Sequence, residues 1–462
     1  MIYYTLLGVS GIIFSSLLIY FRKHFFVALE STLGLSNAVL SKDEETVKQK
    51  KLIVALKRML ASLGISIGLI CVIIILTCIP IYIFKLMKRV TLQDLDLSSI
   101  WFIISFSIGT ILPFLIHRKK PTEDYSEVSI LFHKLILNNY NLSKMLFSFD
   151  RRFKKGERIQ DKDTFLIVSG LARAGTTSLT DQLFKAGAFS SLDYSNMPLL
   201  LAPNLWKKMY NPKKVTLKER KHGDKMLFGL NTIEALEEYF FKVFLNDEFI
   251  SDYYLEKHEI NDEVYSNYIK YQSLIRQDNN ATYLSKNNNI ILRYESLRQY
   301  NKAFKIIFLF RKPEEHAYSL LNQHQRFSEF QNEDEFMQTY LNWLGHHEFG
   351  QNQKVFKFSD EKPVISYDKN TLDYWLCIWQ NYYSYLMNLV DDDYLLIEYE
   401  DYLNKPKEVL QYIENSMNMS FDYSYIEPFT NTRKIDTSNC DPKILETTES
   451  IYQKLKLKKR KF

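Results

Sequence analysis

Residues 164–183 read TFLIVSGLARAGTTSLTDQL. Phe165 to Val168 is a short, wholly apolar run of the kind buried in a parallel sheet, and from Thr177 onward Leu179 and Leu183 fall at helical spacing. Between them lies a loop with Gly170 and Gly175. A strand, a glycine loop and a helix N-terminus bring several backbone N–H groups and the positive end of a helix to one point, which is a place for a phosphate. The two glycines have the spacing of a nucleotide-binding P-loop. Thr176, however, stands where an ATPase or kinase carries the lysine that neutralises β- and γ-phosphate charge. That substitution argues against NTP hydrolysis and phosphoryl transfer, which remain the alternative reading of the loop.

The combination Arg173, Ala174, Gly175, Thr176, Thr177 resembles the 5′-phosphosulfate loop of PAPS-dependent sulfotransferases: a basic residue, a small residue, Gly, Thr and Thr. PAPS is 3′-phosphoadenosine 5′-phosphosulfate. Residues 305–319, KIIFLFRKPEEHAYS, give a second apolar strand ending at Arg311, a helix start marked by Pro313 and two glutamates, and Ser319 eight positions after the arginine. This is similar to the 3′-phosphate site of the same family. The physics agrees, because a guanidinium fixed at a strand end and a hydroxyl on the following helix can converge on one dianionic phosphate. Further stretches resemble a bacterial-type branch: LDYSNMPLLLAPNLW (192–206), HGD (222–224), IEALEEYFF (233–241), YLSKNNNIILR (283–293), WLGHHEFG (343–350) and LLIEYEDYLNKP (395–406). The resemblance spans roughly residues 160–415.

The resemblance implies a P-loop-like α/β fold with a mostly parallel sheet flanked by helices, PAPS as co-substrate, and the desulfated bisphosphate PAP as product. It carries a donor site over to Arg173, Ala174, Gly175, Thr176, Thr177, Ser178, Arg311 and Ser319. Sulfuryl transfer is an in-line displacement. It needs the acceptor hydroxyl's proton removed and the charge on the departing phosphate oxygen stabilised, with no call for a metal. Arg173 is expected to face the bridging oxygen, with Lys286 of the SKNN stretch as a second cation for the leaving group; the plain alternative for Lys286 is a solvated lysine. The base is assigned first to His222, in the HGD stretch, because its ordinary pKa lies near working pH. Glu237 and Glu238 come next, against the bland reading of a wet helix face, and Asp193 third. The adjacent His346 and His347 point in different directions, so at most one reaches a shared site, and they read as acceptor binding or packing.

These residues need a sheet to hold them. Strands near 165–168, 305–310 and 394–398 alternate with helical segments, which places ligands at the carboxyl ends of largely parallel strands. The polar stretch 276–289 reads as a loop leading into Lys286. With 462 residues and 46% hydrophobic content, the chain can bury a full α/β domain and still carry a second module. The net charge of +5 is small and forms no dominant basic face, which argues against nucleic acid as a partner. Four cysteines, two of them in an apolar run, make neither a disulfide framework nor a zinc pattern.

The remaining module is a membrane region over residues 1–120. Uncharged apolar runs at about 2–21, 62–84 and 99–116 predict three transmembrane helices, each set against a hydrocarbon core of about 30 Å. A cleaved signal peptide is the alternative for the first run, but it lacks the positive start and small-residue cleavage site. Arg22, Lys23, Lys42, Lys48, Lys50, Lys51, Lys57 and Arg58 follow the first run, and Arg118, Lys119 and Lys120 follow the third. These flanks share a side in a three-span protein, so the positive-inside tendency predicts a cytoplasmic C-terminal domain; Lys88 and Arg89 lean the other way. Residues 121–155 read as an amphipathic basic connector, with Val128, Leu131, Leu135, Leu142 and Leu146 free to face bilayer or domain. The catalytic domain is expected over 156–440, and 441–462, ending KLKLKKRK before its final Phe, as a basic tail.

Such an enzyme would meet membrane-borne hydroxyl compounds, so the expected partners are membrane lipids and a carbohydrate or lipid hydroxyl acceptor. A rival of another class is a catalytically inactive sulfotransferase-like scaffold or sensor.

Overall fold

The computed structural model describes residues 2–40, 45–88, 100–116, 127–153, 163–187, 189–209, 218–219, 227–228, 233, 235–333, 335–363, 365–389, 393–424, 426 and 435–459. The chain divides into two compact units, Met1–Asn141 and Leu142–Phe462.

The first unit is helical: α1 (Ile2–Leu40), α2 (Glu45–Lys88), α3 (Ile100–Ile116) and α4 (Glu127–Leu137). Within α1 and α2, Thr5–Thr32 and Lys48–Ile83 are long and apolar enough to cross a membrane. The expectation of three spans is corrected to two. α3 has 17 residues, which rise about 26 Å and fall short of the hydrocarbon core. α1 and α3 meet where neither has a side chain. A Cβ on Gly109 would lie 2.0 Å from the Gly8 carbonyl oxygen, and one on Gly11 2.5 Å from that of Phe106. Close backbone approach through small residues is how helices associate where lipid removes the hydrophobic drive. Hydroxyls in these helices donate back to their own turns, Ser15 to Gly11 O at 2.8 Å and Thr77 to Ile73 O at 2.7 Å. The flank at 118–120 lies outside the described residues.

In the second unit the strands are β1 (Phe165–Gly170), β2 (Phe189–Ser190), β3 (Lys218–Glu219), β4 (Leu227–Phe228), β5 (Tyr254–Glu256), β6 (Thr282–Lys286), β7 (Lys305–Phe310), β8 (Val355–Lys357) and β9 (Leu395–Glu398). Five of them form a parallel sheet in the order β2-β6-β1-β7-β9, with Val168 of β1 in register with Lys286 on one side and Ile307 on the other. The helices are α5 (Tyr140–Phe153), α6 (Thr176–Ala186), α7 (Pro203–Met209), α8 (Glu238–Leu245), α9 (Asp262–Ile275), α10 (Tyr294–Tyr300), α11 (Pro313–Glu333), α12 (Glu335–Leu344), α13 (Leu372–Met387), α14 (Tyr399–Asn404), α15 (Pro406–Met417) and α16 (Pro442–Lys458). One core joins Leu166, Val168, Leu284, Ile307 and Ile397 of the sheet to Leu179 and Leu183 of α6 and Val409 and Ile413 of α15. The anticipated α/β fold with a mostly parallel, helix-flanked sheet is thus present.

From Leu142 onward the connector packs on the domain through a face other than the expected stripe, for Leu142 and Leu146 are only half-buried. Ser143, Phe147 and Asp150 are buried at helical spacing. Ser143 shares a 2.8 Å hydrogen bond with Tyr239, Phe147 meets Phe244 edge-on, and Asp150 accepts from the backbone N–H groups of Asn204 and Leu205. Those N–H groups belong to the first turn of α7, where a helix has no internal acceptor for them.

Two expectations change. The stretch read as a loop contains β6, a buried strand between β2 and β1. The C-terminal run is not a free tail but α16, capped by Asp441 accepting from Lys443 N at 2.8 Å. Ile444, Thr448, Tyr452 and Leu455 are its buried face. Tyr452 and Lys459 both bind Glu398, and Lys459 also binds Asp401.

Candidate active site

Because β6, β1, β7 and β9 are parallel neighbours, the segments that follow them emerge along one edge of the sheet. These are the turn after Lys286, the glycine loop, Arg311 and Tyr399. The loop turns tightly, with Ala174 N donating to Leu171 O at 3.1 Å. Arg173 takes φ 72° and Gly175 φ 100°. A Cβ at Gly175 would sit 2.4 Å from the Tyr399 ring, so only glycine fits there. The first α6 bond runs from Leu179 N to Gly175 O, which leaves the N–H groups of Thr176, Thr177 and Ser178 without an acceptor inside the helix.

The side chains predicted for the donor converge here. Arg173 Nε donates to Ser319 Oγ at 3.2 Å, joining the two separately predicted phosphate motifs. Lys286 Nζ, buried at the end of β6, donates to Thr177 Oγ1 at 2.8 Å. Arg311 is 7% exposed and is held by Glu315 at 2.9 Å and by the Tyr399 ring 4.8 Å below its guanidinium. Its Nε–H is buried with no acceptor among the described residues. Ser178 points instead to the Tyr402 hydroxyl at 3.2 Å.

His316, which sequence reasoning passed over, ties the motifs together. Its Nε2–H donates to Ala172 O at 2.7 Å, fixing the glycine loop from α11. Burial first, then the nearby Arg311 and Arg173 charges, hold its pKa down to about 3, so it stays neutral. The signal was its spacing, three positions before Ser319 and on the same helix face. Tyr399 was also missed as a site residue; it lies within a stretch noted for resemblance alone.

The base candidates fare differently. His222 and the HGD stretch lie outside the described residues. Glu238 does not face the site as a base. Both its oxygens take the Arg293 guanidinium, at 2.7 and 2.8 Å, in a buried fork sandwiched by Phe241 and Phe249. Glu237 is buried with its oxygens taken by the Tyr268 hydroxyl and by Asn287 Nδ2, and burial pushes its pKa up to about 6. Asp193 caps a short turn, accepting from Ser195 N at 2.9 Å. His346 Nδ1 lies 3.4 Å from Glu348, and His347 Nδ1 lies 3.1 Å from Asn352 O. Among the described residues no cluster of His, Cys, Asp and Glu could hold a metal ion.

The edge as a whole offers helix N–H groups, one lysine and two arginines grouped about a glycine loop, an arrangement that suits a ligand with more than one anionic group. No family model and no curated protein matches the chain. Solved structures similar to it include the sulfotransferase STF1 from Mycobacterium tuberculosis H37Rv, at 11% identity and a TM-score of 0.38 over 72% of this chain and 86% of that one. The sulfotransferase STF9 from Mycobacterium avium is similar at 13% identity and a TM-score of 0.36, over 72% and 79%. The sulfotransferase domain from the curacin biosynthetic pathway is similar at 16% identity and a TM-score of 0.29, over 66% and 94%.

Proposed function

We propose that the chain is a membrane-anchored sulfotransferase that moves a sulfuryl group from PAPS to a hydroxyl of a glycan, glycolipid or other membrane-associated acceptor. The observation that carries this reading is the Arg173–Ser319 contact at 3.2 Å, which brings the motif resembling a 5′-phosphosulfate loop against the one resembling a 3′-phosphate site. The buried Arg311 Nε–H without an acceptor supports it, since a buried guanidinium donor calls for an anion.

In this reading Thr176, Thr177 and the first N–H groups of α6 hold the 5′-phosphate, and Arg311 and Ser319 hold the 3′-phosphate. Arg173 and Lys286 carry the charge that develops on the departing oxygen. The acceptor oxygen bonds to sulfur as the bond from sulfur to the phosphate oxygen breaks. The acceptor's proton passes to His222, and PAP leaves. Two helices long and apolar enough to span a bilayer support anchoring; with two spans in place of three, the basic flanks Arg22, Lys23, Lys57 and Arg58 no longer share a side with the catalytic domain and lend no support to its cytoplasmic placement.

The test is thermal denaturation of the full chain with PAP, beside ATP with magnesium, repeated for Arg311→Ala. A ligand that binds only the folded state raises the melting temperature. A shift with PAP that disappears in the variant is expected. A shift with ATP and magnesium alone would replace this reading with a P-loop kinase.

A further inference from the structure

Lys286 is followed directly by three asparagines, and this turn is hydrogen-bonded to the loop Gly345–His346–His347–Glu348. Asn288 Nδ2 donates to Glu348 Oε1 at 3.2 Å, and Asn289 Nδ2 donates to Gly345 O at 3.1 Å. Both partners can only accept. Burial alone would raise the Glu348 carboxyl, but the His346 charge and the hydrogen bonds from His346 and Asn288 pull it down to about 2. The amide orientations are therefore compelled, and each asparagine is left with its Oδ1.

His347 presents a third group of the same kind. Its Nδ1 faces the Asn352 carbonyl oxygen at 3.1 Å, so the proton is on Nδ1 and Nε2 carries a lone pair. Burial first, then the Lys242 charge, keep the ring neutral, with a pKa near 3. Asn288 Oδ1, Asn289 Oδ1 and His347 Nε2 are all buried, on residues 5%, 3% and 3% exposed, and none meets a donor among the described residues. Three orphaned acceptors in one small region are costly unless a ligand supplies the donors. The region lies next to the donor site, for Asn288 and Asn289 stand within about 11 Å of chain from Lys286, whose amine touches Thr177.

The ligand's chemistry follows from the sign of the groups. A phosphate or carboxylate would set acceptors against acceptors. Lys242, whose charge acts on His347, disfavours a cation. A simple alcohol has one O–H for three acceptors. We propose that Asn288, Asn289 and His347 form the acceptor subsite and that it takes a carbohydrate, whose vicinal hydroxyls donate to the three atoms and hold a further hydroxyl toward the donor. This rests on the sulfotransferase reading for the identity of the neighbouring donor site, while the orphaned acceptors stand independently of it.

The experiment is a printed array of mono- and oligosaccharides, probed with the full chain in lipid nanodiscs with PAP present, beside the PAP melting shift of each preparation. The wild type should bind a defined set of glycans. Asn289→Leu and His347→Phe, tested separately, should each lose about tenfold in apparent affinity, the worth of one hydrogen bond, with the PAP shift kept as proof of folding. Retention of a PAP shift with no glycan bound, or equal glycan binding by wild type and both variants, would overturn the proposal. Glycan binding that both variants lose, in a chain whose wild type gives no PAP shift, would uphold the subsite and overturn the donor reading instead.

Discussion

Arg173 Nε and Ser319 Oγ lie 3.2 Å apart although 146 positions separate them in the chain. The contact exists because β1 and β7 are adjacent parallel strands, so the loop after one and the helix after the other leave the sheet side by side. The two groups satisfy each other where each is expected to meet a phosphate.

Ser319 is expected to matter for one phosphate only. Ser319→Ala should weaken PAP binding about tenfold while leaving adenosine 5′-monophosphate within about twofold. Isothermal titration with both nucleotides measures this. Equal losses for both would remove Ser319 from the 3′-phosphate site.

Gly175→Ala should be severe for a change of one carbon. The left-handed φ of 100° disfavours any Cβ, and this one would enter the Tyr399 ring. Strain of this kind costs about 1–3 kcal/mol. The variant should melt several degrees lower and give no PAP shift, whereas Gly187→Ala, in extended backbone at the other end of α6, should keep the shift. A PAP shift of wild-type size in Gly175→Ala would show that the loop does not hold the nucleotide.

Glu237 makes stability depend on pH in a defined direction. Burial raises its pKa from 4.5 to about 6, so between those values the folded chain holds the proton more tightly than the unfolded one. Its favourable contribution is full below pH 4.5 and is lost as pH rises through 6, a change of about 2 kcal/mol. Glu237→Gln should therefore gain on the wild type in melting temperature between pH 4.5 and 7. Parallel curves for the two proteins would contradict the assignment.

Much of this site could be read in the sequence, since apolar runs at 165–168 and 305–310 announce buried parallel strands and a glycine loop announces a phosphate. What escaped was polar. β6 reads TYLSK, its last residue reaching Thr177, and three polar residues in five hide a strand from any search for apolar runs. α16 hid for a related reason. Its lysines suggest a solvated tail, whereas Ile444, Thr448, Tyr452 and Leu455 mark a buried stripe that only the long-range bonds to Glu398 and Asp401 make decisive. The fork between Glu238 and Arg293 spans 55 positions, and nothing local distinguishes that glutamate from its neighbour.

Where α1 meets α3, a methyl group on Gly109 would strike the Gly8 carbonyl and one on Gly11 would strike the Phe106 carbonyl, so neither Gly11 nor Gly109 has room for a side chain. Alanine, the mildest replacement elsewhere, would have to push the two helices apart here. Among relatives of this chain, drift at one of these positions should be permitted only with a compensating change across the contact. The pair should then stand out as correlated variation even where the surrounding apolar residues exchange freely.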